Sequence, residues 1–433
     1  MKTTDMRDAG LAKMEAARPA LERIRRHWRG TQPAAYITAK DRDAMDHRLS
    51  RLGVNFPRLA VTALAERQRL RGFTLDGDDR ATTGRHWRDA DGPELAAQIH
   101  TDRLLYGAAY VTVWAAEDGA PTLTGDTPFT MATLRDSATG AVDAAVRRWQ
   151  YGDTAMAAVM EPDRITRYID RGSSGMVWEP HGDVMDNPLG VVPVVPFIRR
   201  RSLSDNQEGA SYVSDVTDLS DAVAKLLADA MVTSEYYVRP RRWATGLEIQ
   251  EDADGNVVDP FGQGRTLQSE DTETRFGQLD GARLDGYSDM LATLTQQIGA
   301  VTALPAHYLG LHGDQPANAD SVRAAEAQLT ARAEDENRAA GRSWAAVGWM
   351  LDAVAGGVPA EPLRRRDYGV TWDSPEIRTP AQAADIAIKL RSIGVPMAEL
   401  LADPLGWEPD RIEAAAAAAE RSEMINAVSG LPR

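Results

Sequence analysis

The residues able to do chemistry are plentiful but unorganised. The seven histidines (His27, His47, His86, His100, His181, His307 and His312) are scattered, with no pair four apart and no HExxH run. The clustered imidazoles of a zinc site are therefore missing. His307 and His312 flank glycine in a loop and read as a surface pair. A phosphate-binding P-loop needs a lysine after glycine. The five lysines, Lys2, Lys13, Lys40, Lys225 and Lys389, follow other residues. Gly172-Ser173-Ser174-Gly175 is not the GxSxG nucleophile elbow. Asp252-Ala253-Asp254-Gly255 lacks the further acidic positions of a calcium loop and reads as a turn. With 64 acidic residues, carboxylate pairs arise by chance, and no acid and base can be nominated. No catalytic residue, cofactor or metal is assigned.

Three basic clusters remain: Arg199-Arg200-Arg201, Arg239 with Arg241-Arg242, and Arg364-Arg365-Arg366. Each alone reads as a solvated turn pairing with an acidic surface. The middle one stands apart, because Trp243 follows it where a helix enters a hairpin. Overall charge points the other way. The formal charge of −15 repels phosphate, which excludes a conventional tight DNA binder with a broad basic face. Zero cysteines exclude disulfides and thiolate metal sites, in keeping with a reducing compartment. The charged start, MKTTDMRDAG, has no signal-peptide apolar stretch, and no window has the apolar length of a bilayer crossing, so no membrane partner is expected.

At 433 residues the chain calls for two or three packing units. The first third alternates helices with antiparallel strands. A helix starts at Asn55 and Pro57, and another runs from Pro93 to Tyr106 with Gly107 as its stop. Strands are expected at Tyr110 to Trp114, Phe129 to Leu134, Ala141 to Trp149 and Arg164 to Ile169. Asn187 to Gly190 is a turn, followed by an extended apolar stretch, Val191 to Phe197. Long helices then take over. Val216, Leu219, Val223, Leu226 and Ala230 step by three or four, giving a striped helix over Ser214 to Tyr237 with Asp215, Asp218, Asp221 and Asp229 on the other side. A hairpin is expected over Leu247 to Val258. A second stripe, Leu284, Tyr287, Leu291, Leu294, Ile298 and Val301, ends at Pro305. A Gly- and Pro-punctuated loop, Thr302 to Asn318, leads into a helix from Asp320 to Val354. The middle of that helix, Arg332 to Gly341, is polar on every face and must be solvated or packed on polar neighbours. A strand at Tyr368 to Trp372 and further helices complete an α+β chain.

Across roughly residues 30 to 415 the order of segments resembles the portal proteins of long-tailed double-stranded DNA phages, in the form found among phages of actinobacteria. The resemblance is carried by NFPRLAVTALAERQRLRGF (Asn55 to Phe73), DRLLYGAAYVTVW (Asp102 to Trp114) and NPLGVVPVVPF (Asn187 to Phe197). RPRRWATG (Arg239 to Gly246), GAVTALPAHYLG (Gly299 to Gly310), NADSVRAAEAQL (Asn318 to Leu329) and VTWDSPEIRTPAQAADIAIKL (Val370 to Leu390) extend it. It implies a structural ring subunit, not an enzyme, with a phage portal fold. The parts would be an N-terminal mixed α/β wing (1–213), stem helices (214–237 and 281–301) and a small β-containing clip between them (238–280). A tunnel loop (302–319), a channel helix with a return to the wing (320–378) and a helical crown (379–433) would follow. Stem packing falls to Val216, Leu219, Val223, Leu284, Leu291, Leu294 and Ile298. Partner docking at the clip falls to Arg239, Arg241, Arg242 and Trp243. His307, Tyr308, Leu309, His312, Gln315 and Asn318 would line the DNA channel. The implied partners are eleven further copies in a dodecameric ring, the DNA passing through, the terminase motor, the head–tail adaptor, and the major capsid and scaffold proteins. The implied location is a capsid vertex of the virion, after assembly in the host cytoplasm. Two other readings compete: another phage head component, such as a minor capsid or connector protein, and a carboxylate-dependent hydrolase.

Overall fold

The chain opens with a helix that its sequence signals only weakly. The computed structural model describes residues 2–33, 53–76, 82–172, 177–203, 209–237, 242–246, 273–278, 285–311, 319–407 and 409–429. Its first helix, α1, spans Thr3–Arg29, with few apolar residues and only a narrow buried side that includes Met14 and Leu21. Helix α2 (Phe56–Ala65), strand β1 (Leu70–Leu75) and helices α3 (Thr83–Asp89) and α4 (Gly92–Tyr106) follow. Pro57 lies in the first turn of α2, and Gly107 ends α4 at φ 82°. Glycine is required there twice over, because a Cβ would also come within 2.8 Å of the Ala210 backbone.

Among the described residues nine strands come next: β2 (Ala108–Ala115), β3 (Pro121–Asp126), β4 (Met131–Arg135), β5 (Val142–Tyr151), β6 (Thr154–Met160), β7 (Arg164–Asp170), β8 (Trp178–Pro180), β9 (Met185–Asp186) and β10 (Val194–Ile198). Neither β3 nor β6 is expected from the sequence. TAMAAVM is alanine-rich and weak in strand preference, and hairpin pairing with β5 and β7 recruits it. The strands form two sheets, β10-β2-β3 and β4-β5-β6-β7-β8, with β9 also paired to β7. Alternate residues of β5 face opposite cores. Ala145 meets Tyr110, Met131, Met160 and Val194 between the sheets, while Ala144 and Val146 meet Met14 of α1. The other face of β2 sends Ala109, Val111 and Val113 into the main core with Phe73, Trp87, Ile99, Phe197 and Trp344.

Among the described residues the rest is helical, apart from three short strands. Helix α5 (Ser214–Tyr237) leads to β11 (Arg242–Thr245), β12 (Arg275–Gln278), helix α6 (Asp285–Thr302) and a 3₁₀ turn (Ala306–Leu309). Helices α7 (Ala319–Gly356) and α8 (Glu361–Arg364), strand β13 (Tyr368–Trp372), and helices α9 (Pro380–Ser392), α10 (Met397–Ala402) and α11 (Pro409–Ser429) complete the chain. Thr379 caps α9 by accepting from the backbone of Gln382, whose side chain reaches back to the Thr379 amide. Strand β13 pairs antiparallel with β1, Trp372 opposite Leu70 and Tyr368 opposite Leu75, so distant parts of the chain close one ribbon beside α7.

Helix α7 has 38 residues, roughly 57 Å at 1.5 Å per residue. Its polar middle is not solvated all round, and it needs no neighbouring subunit to cover it. Glu336 is buried and accepts from Arg103 Nη1 at 2.7 Å and from Arg199 Nε at 2.7 Å. Asn337 Oδ1 accepts from Gln68 at 3.3 Å, and Ala333 and Ala340 turn inward, while Glu334, Asp335 and Arg338 stay exposed. Arg199 therefore departs from the solvated-turn expectation. Burial draws its guanidinium down from the ordinary value, and the neighbouring Glu336 opposes that. Arg201, Arg364 and Arg366 keep surface ion pairs, with Asp215 at 2.6 Å, Glu361 at 3.7 Å and Asp76.

Behind this triad, His100 is fully buried. Its Nδ1 donates to the Gln68 carbonyl at 2.9 Å, and its Nε2 accepts from Trp344 Nε1 at 2.8 Å, which fixes a neutral ring. Burial lowers it to about 4, the Gln68 hydrogen bond opposes this, and nearby Arg103 reinforces it.

Replacing Glu336 by Ala leaves two buried guanidinium groups without their shared carboxylate and should cost about 3–5 kcal/mol in denaturant unfolding. A loss below about 1 kcal/mol would show that the triad is not what seats α7. The histidine supplies a pH test. Unfolded, His100 titrates near 6.5; folded, near 4. Between these values the unfolded chain holds the extra proton, so this residue withdraws stability as pH falls. His100→Gln, which cannot take up that proton, should gain up to about 1.4 kcal/mol per pH unit relative to the parent between pH 6 and 5. A constant difference would assign the acid response to other groups.

Candidate functional site

The two striped helices find each other. Val216, Leu219 and Val223 of α5 share one cluster with Leu291, Leu294 and Ile298 of α6, joined by Val54 and by Phe56, the first residue of α2. At the opposite end of the pair, Thr233 and Tyr287 hydroxyls lie 3.1 Å apart, so the helices run antiparallel. Leu284 lies outside the described residues. The acidic side of α5 is also taken up within the chain. Asp215 pairs with Arg201 at 2.6 Å, Asp218 with Arg23, and Asp221 with His27 at 2.9 Å, while Lys225 pairs with Asp229 one turn on. Helix α1 thus clamps α5 from the polar side.

One buried phenol ties the near ends of these helices to the body. Tyr212 Oη donates to the Thr302 carbonyl at 2.5 Å and accepts from Arg332 Nη1 at 3.2 Å, and Arg332 also donates to the Val301 carbonyl at 3.0 Å. Three guanidinium groups, from Arg199, Arg201 and Arg332, lie 5.2, 5.8 and 5.7 Å from the centre of its ring. Burial pushes the Tyr212 phenol up, with the arginines opposing. Backbone and hydroxyl bonds from Tyr212 and Ser211 to Leu104 and Leu105, at 2.8 and 2.6 Å, complete the joint. Neither Tyr212 nor Arg332 was marked by the sequence, because their partners are carbonyls and rings brought from other elements.

At the far end of the pair, β11 and β12 form an antiparallel ribbon with Trp243 opposite Gly277. A Cβ on Gly277 would sit 2.4 Å from the Trp243 indole, so glycine lets that ring lie across the ribbon, 42% exposed. The hairpin expected over Leu247 to Val258 lies outside the described residues, as do Arg239 and Arg241. Arg242 is the first residue of β11.

Beyond α6, Pro305 opens the 3₁₀ turn and Gly310, at φ 71°, closes it. The turn separates the expected channel residues. His307 is exposed, 3.5 Å from Glu326. Tyr308 and Leu309 turn inward onto the core of Leu64, Leu104 and Leu304, and Tyr308 Oη accepts from Arg67 at 3.3 Å. His312, Gln315 and Asn318 lie outside the described residues. Among the described residues, no three His, Cys, Asp or Glu side chains are grouped to hold a metal, and no helix is long and apolar enough to cross a membrane.

A cleft of about 460 Å³ escaped the sequence reading. Arg18, Arg25 and Arg29 of α1 line one wall, with Asp102 and Tyr106 of α4 and Arg148 of β5 opposite. Phe129 lies between them, 4.8 Å below the Arg25 guanidinium and edge-on to Tyr106 at 5.4 Å. Burial pushes the Asp102 carboxyl up to about 6. The arginines recur at helical spacing, yet a cleft exists only once α1 is laid on the sheet.

The known proteins this chain is similar to point in one direction. The family model described as "Phage portal protein, SPP1 Gp6-like" matches residues 11–427. The portal protein of Mycobacterium phage D29 is 29% identical over 368 residues, covering 79% of this chain and 73% of the relative. That of Mycobacterium phage L5 is 29% identical over 364 residues, with the same coverage. Among solved structures, a chain from the neck of an empty gene transfer agent particle, computed with C6 symmetry, gives a TM-score of 0.50 at 15% identity, over 85% of this chain and 92% of that one. A chain from the native particle's neck, computed with C12 symmetry, gives 0.49 at 16% identity, over 86% and 94%. The α+β architecture is that of the portal fold, and with a family match running from residue 11 to residue 427, this chain belongs to the SPP1 Gp6-like phage portal proteins.

Proposed function

We propose that this chain is the repeating subunit of a ring, twelve copies as the family resemblance implies, that conducts DNA through one capsid vertex of the virion. The observation that carries this reading is the self-sealed pair α5–α6. Its apolar stripes close on each other over Val54 and Phe56, its near end is tied to the body at Tyr212 and by the clamp from α1, and an exposed tryptophan ribbon sits at its far end. Such a rod can stand beside identical rods, with polar side chains and the exposed Met231 and Met290 facing its neighbours.

In this assignment the wing is 1–213, the stem 214–237 with 281–301, and the clip 238–280. The tunnel loop is 302–319, the channel helix and its return 320–378, and the crown 379–433. The clip, with Arg239, Arg241, Arg242 and Trp243, meets the terminase motor during packaging and the head–tail adaptor afterwards. The wing and crown face the major capsid and scaffold proteins, and assembly takes place in the host cytoplasm. His307, with the loop that follows it, faces the DNA, whereas Tyr308 and Leu309 hold that loop's base. A net charge of −15 per copy suits passage, since many lysine and arginine contacts to phosphate would retain the duplex. The ring does no bond-making chemistry in this reading, and the motor supplies the work.

Negative-stain microscopy of the purified chain should show closed rings with a central hole; monomers at every concentration, and in capsid preparations, would refute the assignment. Leu294→Asp places a charge in the seam between the stem helices and should abolish rings. Normal rings from that variant would mean the seam is not needed for assembly. Deleting residues 312–316 spares the packed Tyr308 and Leu309. It should leave rings intact but reduce the DNA retained per capsid in a packaging assay, and undiminished DNA content would remove the tunnel-loop role.

A further inference from the structure

The arginine-lined cleft runs against the sign of the whole chain. Four guanidinium groups and one carboxylate line it, in a protein with 64 acidic and 49 basic residues. Three of the arginines already have uses. Arg25 contacts both Glu22 oxygens at 2.6 Å and stacks on Phe129, Arg18 pairs with Glu15 at 3.1 Å, and Arg148 reaches Glu15 only at 3.9 Å. Arg29 is exposed and, among the described residues, has no carboxylate partner. Across the cleft, Asp102 is partly buried and likewise has no hydrogen-bond donor among the described residues. The cleft therefore holds a cation and an acceptor that have no partner among the described residues, with the Phe129 ring in its lining.

A ligand that satisfies both must bring a carboxylate and an N–H close together, which is what a peptide segment bearing Asp or Glu supplies. Duplex phosphate fits poorly, because Glu15, Glu22 and Asp102 interrupt the arginines and phosphate has no donor for Asp102. In a closed ring every subunit meets its neighbour head to tail, so a cleft on one flank faces a different surface of the next copy. On a chain this acidic, that surface offers carboxylates readily. We propose that the cleft between α1, α4 and β5 receives an acidic segment of a second copy of this chain, its carboxylate on Arg29 and Arg148 and an N–H on Asp102. The inference rests on the ring reading above, and it assigns a site to the contact between subunits.

The test uses full-length rings assembled from a mixture of isotopically light and heavy chains, with a photo-cross-linking residue in place of Gln150, at the mouth of the cleft. The expected product joins a light to a heavy copy through a peptide containing Asp or Glu. Cross-links confined to one copy, or to DNA, would overturn the proposal. In parallel, Arg29→Glu with Arg148→Glu should raise the protein concentration for half-assembly about tenfold in dilute salt, with the gap to the parent narrowing as salt is added. If the parent forms rings and the variant assembles equally well, the cleft contact is refuted while the ring stands. If the parent forms no rings, both fall together. The cross-linking arm decides the matter even should the double variant fail to fold.

Discussion

The Glu336 carboxylate, held between Arg103 and Arg199, is the contact around which the rest is arranged. A long helix with a polar waist cannot cross a hydrophobic body unless its charges are met inside. Arg103 comes from α4 and Arg199 from just beyond β10, so a single carboxylate fixes α7 against both the helical and the sheet layers. On either side of that waist the helix is ordinary: Leu329 and Ala333 enter one apolar core, and Trp344, Val347 and Leu351 enter another. A buried ionic triad is a costly way to join elements compared with apolar packing, but it tolerates no slip of register. A shift of one turn along α7 would carry Glu336 out of reach of both arginines.

From this seat the joint at Tyr212 follows. Arg199 serves both structures, since its guanidinium bonds Glu336 and also lies over the Tyr212 ring. The phenol in turn holds the end of α6 through the Thr302 carbonyl, and Arg332, one turn before Glu336 on α7, holds it from the other side. Body and rod are thus joined at this phenol as well as by the clamp of α1 on α5 and the packing of Val54 and Phe56 on the stripe.

Electrostatics shape the outside of the molecule as they do its centre. The aspartates of α5 do not form a bare negative stripe, because Arg201, Arg23, His27 and Lys225 answer them. Much of the remaining negative charge lies on the surface. The arginines of the cleft are a local exception, and α1, the helix least visible in the sequence, supplies both the clamp on α5 and most of those arginines.

The sequence alone determined the elements with strong periodicity: α5 over Ser214–Tyr237, α6 over Asp285–Thr302, most of α7, and the strands Tyr110 to Trp114 and Tyr368 to Trp372. Stripes and turn residues are local properties, so they survive without knowledge of neighbours. It also carried the family, through many weak segments in a fixed order. Tertiary structure alone decided where the polar groups went. Nothing in RAEDENRAAG distinguishes buried Glu336 from exposed Glu334, and nothing in three consecutive arginines singles out Arg199, because burial of a charge depends on a partner far away in the chain. The same holds for β6, which hairpin pairing makes a strand, and for Arg18, Arg25 and Arg29, which form a cleft only when α1 meets the sheet. Apolar periodicity writes itself along the chain, whereas charge pairing is settled between elements that meet only after folding.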